Sequence, residues 1–178
     1  MVEASLFAVF DATNHQYCSL SRFTINFYSI CGSMASDDPE GLDIFDKTRS
    51  AAGSLLDNKD VILLTIVDNI LVNALQSKSS VILQKSIREG FGLTVTEALW
   101  KRKPVVASNV GSITRQVIDN KTGFLVEPHD VKGGTEIVSS ILKHPKVGQF
   151  LGANGKEQVR KNFLMTRHVI DDMKLLSS

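Results

Sequence analysis

The sequence predicts an α/β fold in which a parallel sheet is covered on both faces by helices. From Asp38 onward, short β-branched runs alternate with helical stretches. The strand runs are almost wholly apolar, as strands buried on both faces are. The helical stretches open and close on recognisable start and stop residues.

The elements follow in order. Phe23–Cys31 supplies a possible first strand, and Gly32-Ser33 turns at its end. Asp38-Pro39-Glu40 starts a helix running towards Leu56, with proline and acid in the first turn. Val61–Val67 is a buried strand, Val72–Lys78 a short helix, and Ser80–Gln84 another buried strand. A helix over Leu93–Arg102 is stopped by Lys103-Pro104, and Pro104–Ser108 is a strand. Ser112–Asp119 is a short helix, Asn120–Gly123 a turn and Gly123–Val126 a strand. Three helical stretches close the chain, near Lys132–Leu142, Val147–Phe163 and Thr166–Leu176. The pattern is that of a Rossmann-like unit, whose ligands sit beyond the carboxyl ends of the strands. Residues 1–30 form a divergent segment with crowded aromatics, and 31–178 form the ligand-binding domain.

Bulk properties narrow the function. A chain of 178 residues with 43% hydrophobic and 22% charged residues suits one globular domain with its own core. The net charge of +1 supplies no field favouring nucleic acid or an anionic membrane. No apolar run approaches the roughly 18 residues of a membrane helix. Met1–Phe10 is apolar, but Glu3 and Asp11 argue against a leader peptide. Cys18 and Cys31 have no metal or redox spacing, and His15, His129, His144 and His168 form no ligand cluster. A cytoplasmic protein is the expectation.

Chemistry concentrates in Lys85–Leu99, Lys-Ser-Ile-Arg-Glu-Gly-Phe-Gly-Leu-Thr-Val-Thr-Glu-Ala-Leu. A strand runs into a loop bearing Gly90 and Gly92, which allow backbone to approach a ligand, and then into a helix. Thr94-Val95-Thr96-Glu97 has the form of a capping box, which would start the helix at Thr94. Free amides and the helix dipole suit a diphosphate over the loop. Glu89 and Glu97 would then reach two ends of one extended ligand. Each feature has a plainer reading: Glu97 as a cap, the Gly-x-Gly as a turn, Glu89 with Arg88 as a solvated pair. Their combination is more specific than any one of them.

Glu89 and Glu97, with seven residues between, resemble the signature of retaining GT-B glycosyltransferases. The run Glu89–Ser108, with Gly32-Ser-Met-Ala-Ser-Asp-Asp-Pro-Glu-Gly41, Val72–Gln76, Gln84–Glu89, Thr122–Asp130 and Val159–His168, is similar to the trehalose synthase and trehalose phosphorylase branch. The resemblance covers about Cys31–Leu176. It implies the C-terminal donor half of a GT-B fold, truncated at its N-terminal side. The implied reaction moves glucose from UDP- or ADP-glucose to a sugar, glucose giving trehalose, with retention and with no metal or other cofactor. Glu89 would face the hexose as the catalytic residue. Gly90, Phe91 and Gly92 would offer amides to the sugar, Leu93 and Thr94 amides to the diphosphate, and Glu97 would hold the ribose. Lys85 and Ser86 would line the donor pocket, and Gly32 and Ser33 would lie near the nucleotide. The acceptor would come through an N-terminal domain missing from this chain, no nucleic acid or membrane partner is implied, and a homodimer is compatible.

Two departures from the family pattern bear on activity. Ser21-Arg22-Phe23 looks like the start of the family's phosphate-binding Arg and Lys pair, which would make Arg22 a substrate ligand, but Phe27 occupies the lysine's place. Loss of that lysine removes a contact of order 2–4 kcal/mol to the leaving group. One strand-to-helix unit is also expected to be absent there. Gly111-Ser112 replaces a more usual pair of glycines, with Ser112 serving as a helix cap. A non-catalytic nucleotide-sugar-binding module, or an inactive remnant, is therefore the alternative to an active transferase. A dinucleotide oxidoreductase fits poorly, since no Gly-x-Gly-x-x-Gly follows the first strand.

Overall fold

The computed structural model describes residues 6–11, 26–31, 39–57, 61–65 and 68–177. Its sheet contains β1 (Leu6–Asp11), β2 (Asn26–Cys31), β3 (Val61–Thr65), β4 (Val81–Gln84), β5 (Val105–Ser108) and β6 (Phe124–Val126). The strand order is β3-β2-β1-β4-β5-β6. That is the order of a doubly wound sheet, with its switch point between β1 and β4.

The β2–β3, β4–β5 and β5–β6 pairs are parallel, whereas β1 is antiparallel to both β2 and β4. Of the strand-to-helix unit expected to be lost, the strand is present, and the stretch between it and β2 lies outside the described residues. The central strand position is filled, but by a strand running the other way. Sequence reading misses β1 because it weighs the apolar run of Met1–Phe10 only as a leader peptide, and no helix or turn signal sets Leu6–Asp11 apart as a strand. The expected division after residue 30 falls inside β2, and β1 pairs along its length with β2.

Around the sheet lie α1 (Pro39–Ala52), α2 (Ser54–Asp57), α3 (Asn69–Lys78), α4 (Leu93–Trp100), α5 (Ile113–Gln116), α6 (Val131–Lys143), α7 (Pro145–Asn162) and α8 (Met165–Leu176). The single helix expected up to Leu56 is divided at Gly53. The next helix, α3, starts earlier than Val72, because the Asp68 carboxylate accepts from the Ile70 and Leu71 amides at 2.9 and 3.0 Å. Arg102 ends α4 in the left-handed region (φ 60°), with the Arg102 amide on Leu99 O and the Lys103 amide on Ala98 O. The expected helix to Asp119 stops at Gln116, and the Asp119 carboxylate instead accepts from the Leu125 amide at 2.9 Å.

Apolar side chains fill both faces of the sheet. On one, Ile82, Val105 and Ala107 pack with Val95, Ala98 and Leu99 of α4, Ile113 of α5 and Val159 of α7. On the other, Val81, Val106 and Val126 pack with Val138 and Ile141 of α6. Helices therefore cover both faces, as the buried strand runs require.

Helix α7 comes close to the turn that ends α4. A Cβ added at Gly152 would stand 2.0 Å from Arg102 O, a position no side chain can share. Gly152→Ala is therefore expected to lower unfolding free energy by about 3 kcal/mol or more. Gly134 in α6 has open space where its Cβ would go. Gly134→Ala should raise stability by about 0.5–1 kcal/mol through helix propensity. Urea denaturation of the two variants against the parent chain checks both signs.

Candidate functional site

The loops that follow β4, β5 and β6 meet at the carboxyl edge of the sheet, where they are held together by polar contacts. The Lys85 ammonium donates to the backbone carbonyls of Glu127 (2.6 Å) and Asp130 (3.4 Å). Burial pushes that ammonium below the usual lysine range, against the opposing pull of Asp130 and Glu127. The Asn109 amide donates to a Glu127 carboxylate oxygen at 3.0 Å. Ser112 does not cap α5 as expected. Its hydroxyl donates to the carbonyls of Phe91 (3.0 Å) and Gly90.

Backbone contact fixes the first two loops. Gly111 has φ +51°, and a Cβ there would lie 2.0 Å from Glu89 O. Gln116 is buried, accepts from the Thr96 hydroxyl at 2.7 Å and donates to Phe91 O. The Phe91 ring meets Phe163 edge-on, with centroids 6.3 Å apart.

Glu89 is half-buried in this frame. One carboxylate oxygen accepts the Gly92 amide at 3.1 Å. The other accepts from the Ser86 hydroxyl at 3.2 Å and the Gln84 amide at 3.4 Å. Gly90 is exposed, with open space on the side where its Cβ would be.

The capping box is not formed. Gly92, left-handed at φ 75°, occupies the cap position of α4, and Thr94 already lies inside the helix. The first amides of a helix have no carbonyl one turn earlier to accept them, which leaves those of Leu93 and Thr94 at the helix entrance. Glu97 is exposed, and its carboxylate accepts from the buried Gln76 amide of α3 at 3.0 Å. Lys101 donates to the same Gln76 side chain from the other side. Burial depresses the Lys101 ammonium, with Glu97 opposing.

The structure thus brings together Lys85, Ser86, Glu89, Gly90, Phe91, Gly92, Leu93, Thr94 and Glu97, from one loop and the helix it enters. Gly32, Ser33 and Arg22 lie outside the described residues. Phe27 stands at the amino end of β2, opposite Val61 and Phe10, on the sheet edge away from the Glu89 loop. Among the described residues there is no group of three or more His, Cys, Asp or Glu placed to hold a metal ion.

The profile of the family described as "Glycosyl transferases group 1" matches residues 28–158, which include the whole carboxyl-edge assembly. The chain belongs to this family. Over 149 residues it is 50% identical to a trehalose synthase of Thermococcus litoralis, covering 84% of this chain and 36% of that protein. It spans about a third of the length of that relative. Its fold matches sucrose-phosphate synthase from Thermosynechococcus elongatus with TM-score 0.70 and 28% identity, over 84% of this chain and 37% of that one. Anabaena Alr3699/HepE, solved in complex with UDP and glucose, matches with TM-score 0.70 and 19% identity, over 85% of this chain and 40% of that one. The chain is therefore an α/β domain of a glycosyl-transferring family, and its structural neighbours are GT-B enzymes. No helix among the described residues is long and apolar enough to cross a membrane.

Sequence reading of this group 1 domain missed Gln84 and Gln76. Gln84 ends the run Val-Ile-Leu-Gln, and a polar amide closing a buried strand at the ligand edge was the available signal. Gln76 carried a weaker one, since only the fold brings α3 beside α4.

The Gly111 contact gives a direct test of the frame. Gly111→Ala forces the Glu89 backbone to move, so it should lower the urea midpoint and broaden or shift the amide resonances of residues 89–92. Unchanged resonances there, measured by two-dimensional NMR against the parent chain, would contradict the described approach.

Proposed function

We propose that the chain is the donor-binding half of a retaining glucosyltransferase that forms trehalose from a nucleoside-diphosphate glucose and glucose. In this reading Glu89 faces the transferred hexose and favours positive charge at its anomeric carbon. The amides of Gly90, Phe91 and Gly92 meet the sugar, those of Leu93 and Thr94 meet the diphosphate, and Glu97 accepts from the ribose hydroxyls. Lys85 and Ser86 support the pocket wall. Residues 31–178 carry the donor site, and a separate domain supplies the acceptor and closes out water.

The observation that carries this is the pair of glutamates at the two ends of one helix entrance. Glu89 is fixed before α4, and Glu97 lies one turn inside it without serving as a cap. The 50% identity to a trehalose synthase supports glucose and trehalose as substrate and product. The UDP and glucose described for the Anabaena protein support the donor class.

A second reading, binding without turnover by this chain alone, is favoured by a specific observation. Phe27, which takes the place of the family's phosphate-binding lysine, lies at the opposite edge of the sheet from Glu89. We infer that the isolated chain binds UDP and UDP-glucose weakly and transfers nothing to glucose.

Titration calorimetry tests both parts. The parent chain should take up UDP and UDP-glucose, and Glu97→Ala should weaken both by about tenfold or more, the worth of hydrogen bonds to a charged group. Equal heats in parent and variant, or none in either, sink the donor site. Trehalose formed from UDP-glucose and glucose by the isolated chain overturns the reading of binding without turnover.

A further inference from the structure

Behind each of the two glutamates stands a glutamine that is 0% exposed, Gln84 behind Glu89 and Gln76 behind Glu97. The two come from different elements, β4 and α3. Each turns its amide nitrogen towards the carboxylate it backs. Gln84 Nε2 donates to Ser86 Oγ at 2.8 Å and to Glu89 Oε2 at 3.4 Å, while Ser86 Oγ donates to the same Glu89 oxygen at 3.2 Å. Gln76 Nε2 donates to Glu97 Oε2 at 3.0 Å, and its own oxygen accepts from Lys101 Nζ.

The orientation of Gln84 is costly. Its Oε1 is buried without a hydrogen-bond partner among the described residues. A buried polar atom left unpaired disfavours the fold, so nothing in the packing itself explains a glutamine there. What the side chain achieves is a fixed donor pair aimed at Ser86 and Glu89. Gln76 shows the same arrangement with both ends satisfied, its amide on Glu97 and its carbonyl on Lys101. In both cases one carboxylate oxygen is tied to a buried amide, which sets the side-chain torsion of the glutamate. Such outer partners hold reacting groups within the narrow geometry that recognition requires.

We propose that Gln84 and Gln76 are positioning residues that act separately, Gln84 on recognition of the sugar through Glu89 and Gln76 on recognition of the nucleoside through Glu97. The inference rests on the donor-site reading above, and it assigns each buried amide to one part of the ligand.

The two ligands UDP and UDP-glucose separate the parts, since only the second carries the hexose. Calorimetry on the full chain should show Gln84→Leu weakening UDP-glucose by about tenfold, with UDP unchanged. Its urea midpoint should stay level or rise, because the unpaired acceptor is removed. Gln76→Leu should weaken UDP and UDP-glucose by the same factor. The near-isosteric Gln84→Glu and Gln76→Glu are read by the same criterion should either leucine variant fail to fold. Each sets a carboxylate against the glutamate and should repeat its leucine partner's ligand pattern with a larger loss. A Gln84 variant that loses both ligands equally, or a folded variant of either residue that loses neither, overturns the assignment. A parent chain that binds neither UDP nor UDP-glucose overturns the donor-site reading itself, a distinct result from uniform losses in a chain that binds both.

Discussion

Gly111 and the carbonyl of Glu89 lie so close that no side chain fits between them, and the carboxyl edge is organised around that approach. It joins the loop after β5 to the loop after β4 through backbone rather than through mobile side chains. Ser112 then reaches the Gly90 and Phe91 carbonyls, Gln116 reaches Phe91 from below, and Lys85 ties the third loop in through Glu127 and Asp130. A carboxylate mounted on this frame is preorganised. The position of Glu89 is settled by neighbours that have no freedom to follow it, which is the condition for discriminating one sugar geometry from another.

The reversal of β1 acts on the same edge from the other side. In a doubly wound sheet the strands at the switch point both deliver a loop and a helix start to the ligand. Here only β4 does so, because β1 ends at Asp11, opposite Asn26, at the amino edge. The sheet keeps its strand order and its hydrogen-bonded continuity, so the fold survives. At the switch point it is β4, and not the end of β1, that leads into the carboxyl edge. Strand order and strand direction are thus separable in this chain: the order of a doubly wound sheet is kept while its central strand is reversed.

The sequence made the parallel half legible because its signals are local. Val61–Thr65, Val81–Gln84 and Val105–Ser108 are short apolar runs between helices, each within a residue or two of its expected place, though Val61–Thr65 is only half-buried with Thr65 exposed where a buried strand was expected. The glutamate-glycine block was legible because its residue types and spacing are both unusual. The capping box misled, since Thr94 and Glu97 fit the pattern while Gly92 takes the cap position itself in a left-handed conformation. A pattern of residue types cannot show which of two neighbouring positions closes a helix. β1 was illegible for a different reason. A strand's direction in a sheet is set by its partners, and the partners of Leu6–Asp11 lie far along the chain in β4 as well as nearby in β2. The glutamines behind the glutamates were hidden likewise, because Gln76 and Glu97 meet only when α3 and α4 pack on one face of the sheet.

Charge at the carboxyl edge bears on the proposed donor site. A departing nucleoside diphosphate gathers negative charge as its bond to the sugar breaks, and catalysis requires cations or dipoles aimed at that charge. The two lysines flanking the block are directed elsewhere, Lys85 to backbone carbonyls and Lys101 to Gln76. Burial also weakens the hold of both on their protons. The entrance of α4 itself offers the helix dipole, worth about half a charge, and the first amides. The glutamate block is thus a pair of positioned carboxylates at a helix entrance, Glu89 held by the Gly92 amide and Glu97 by the Gln76 amide.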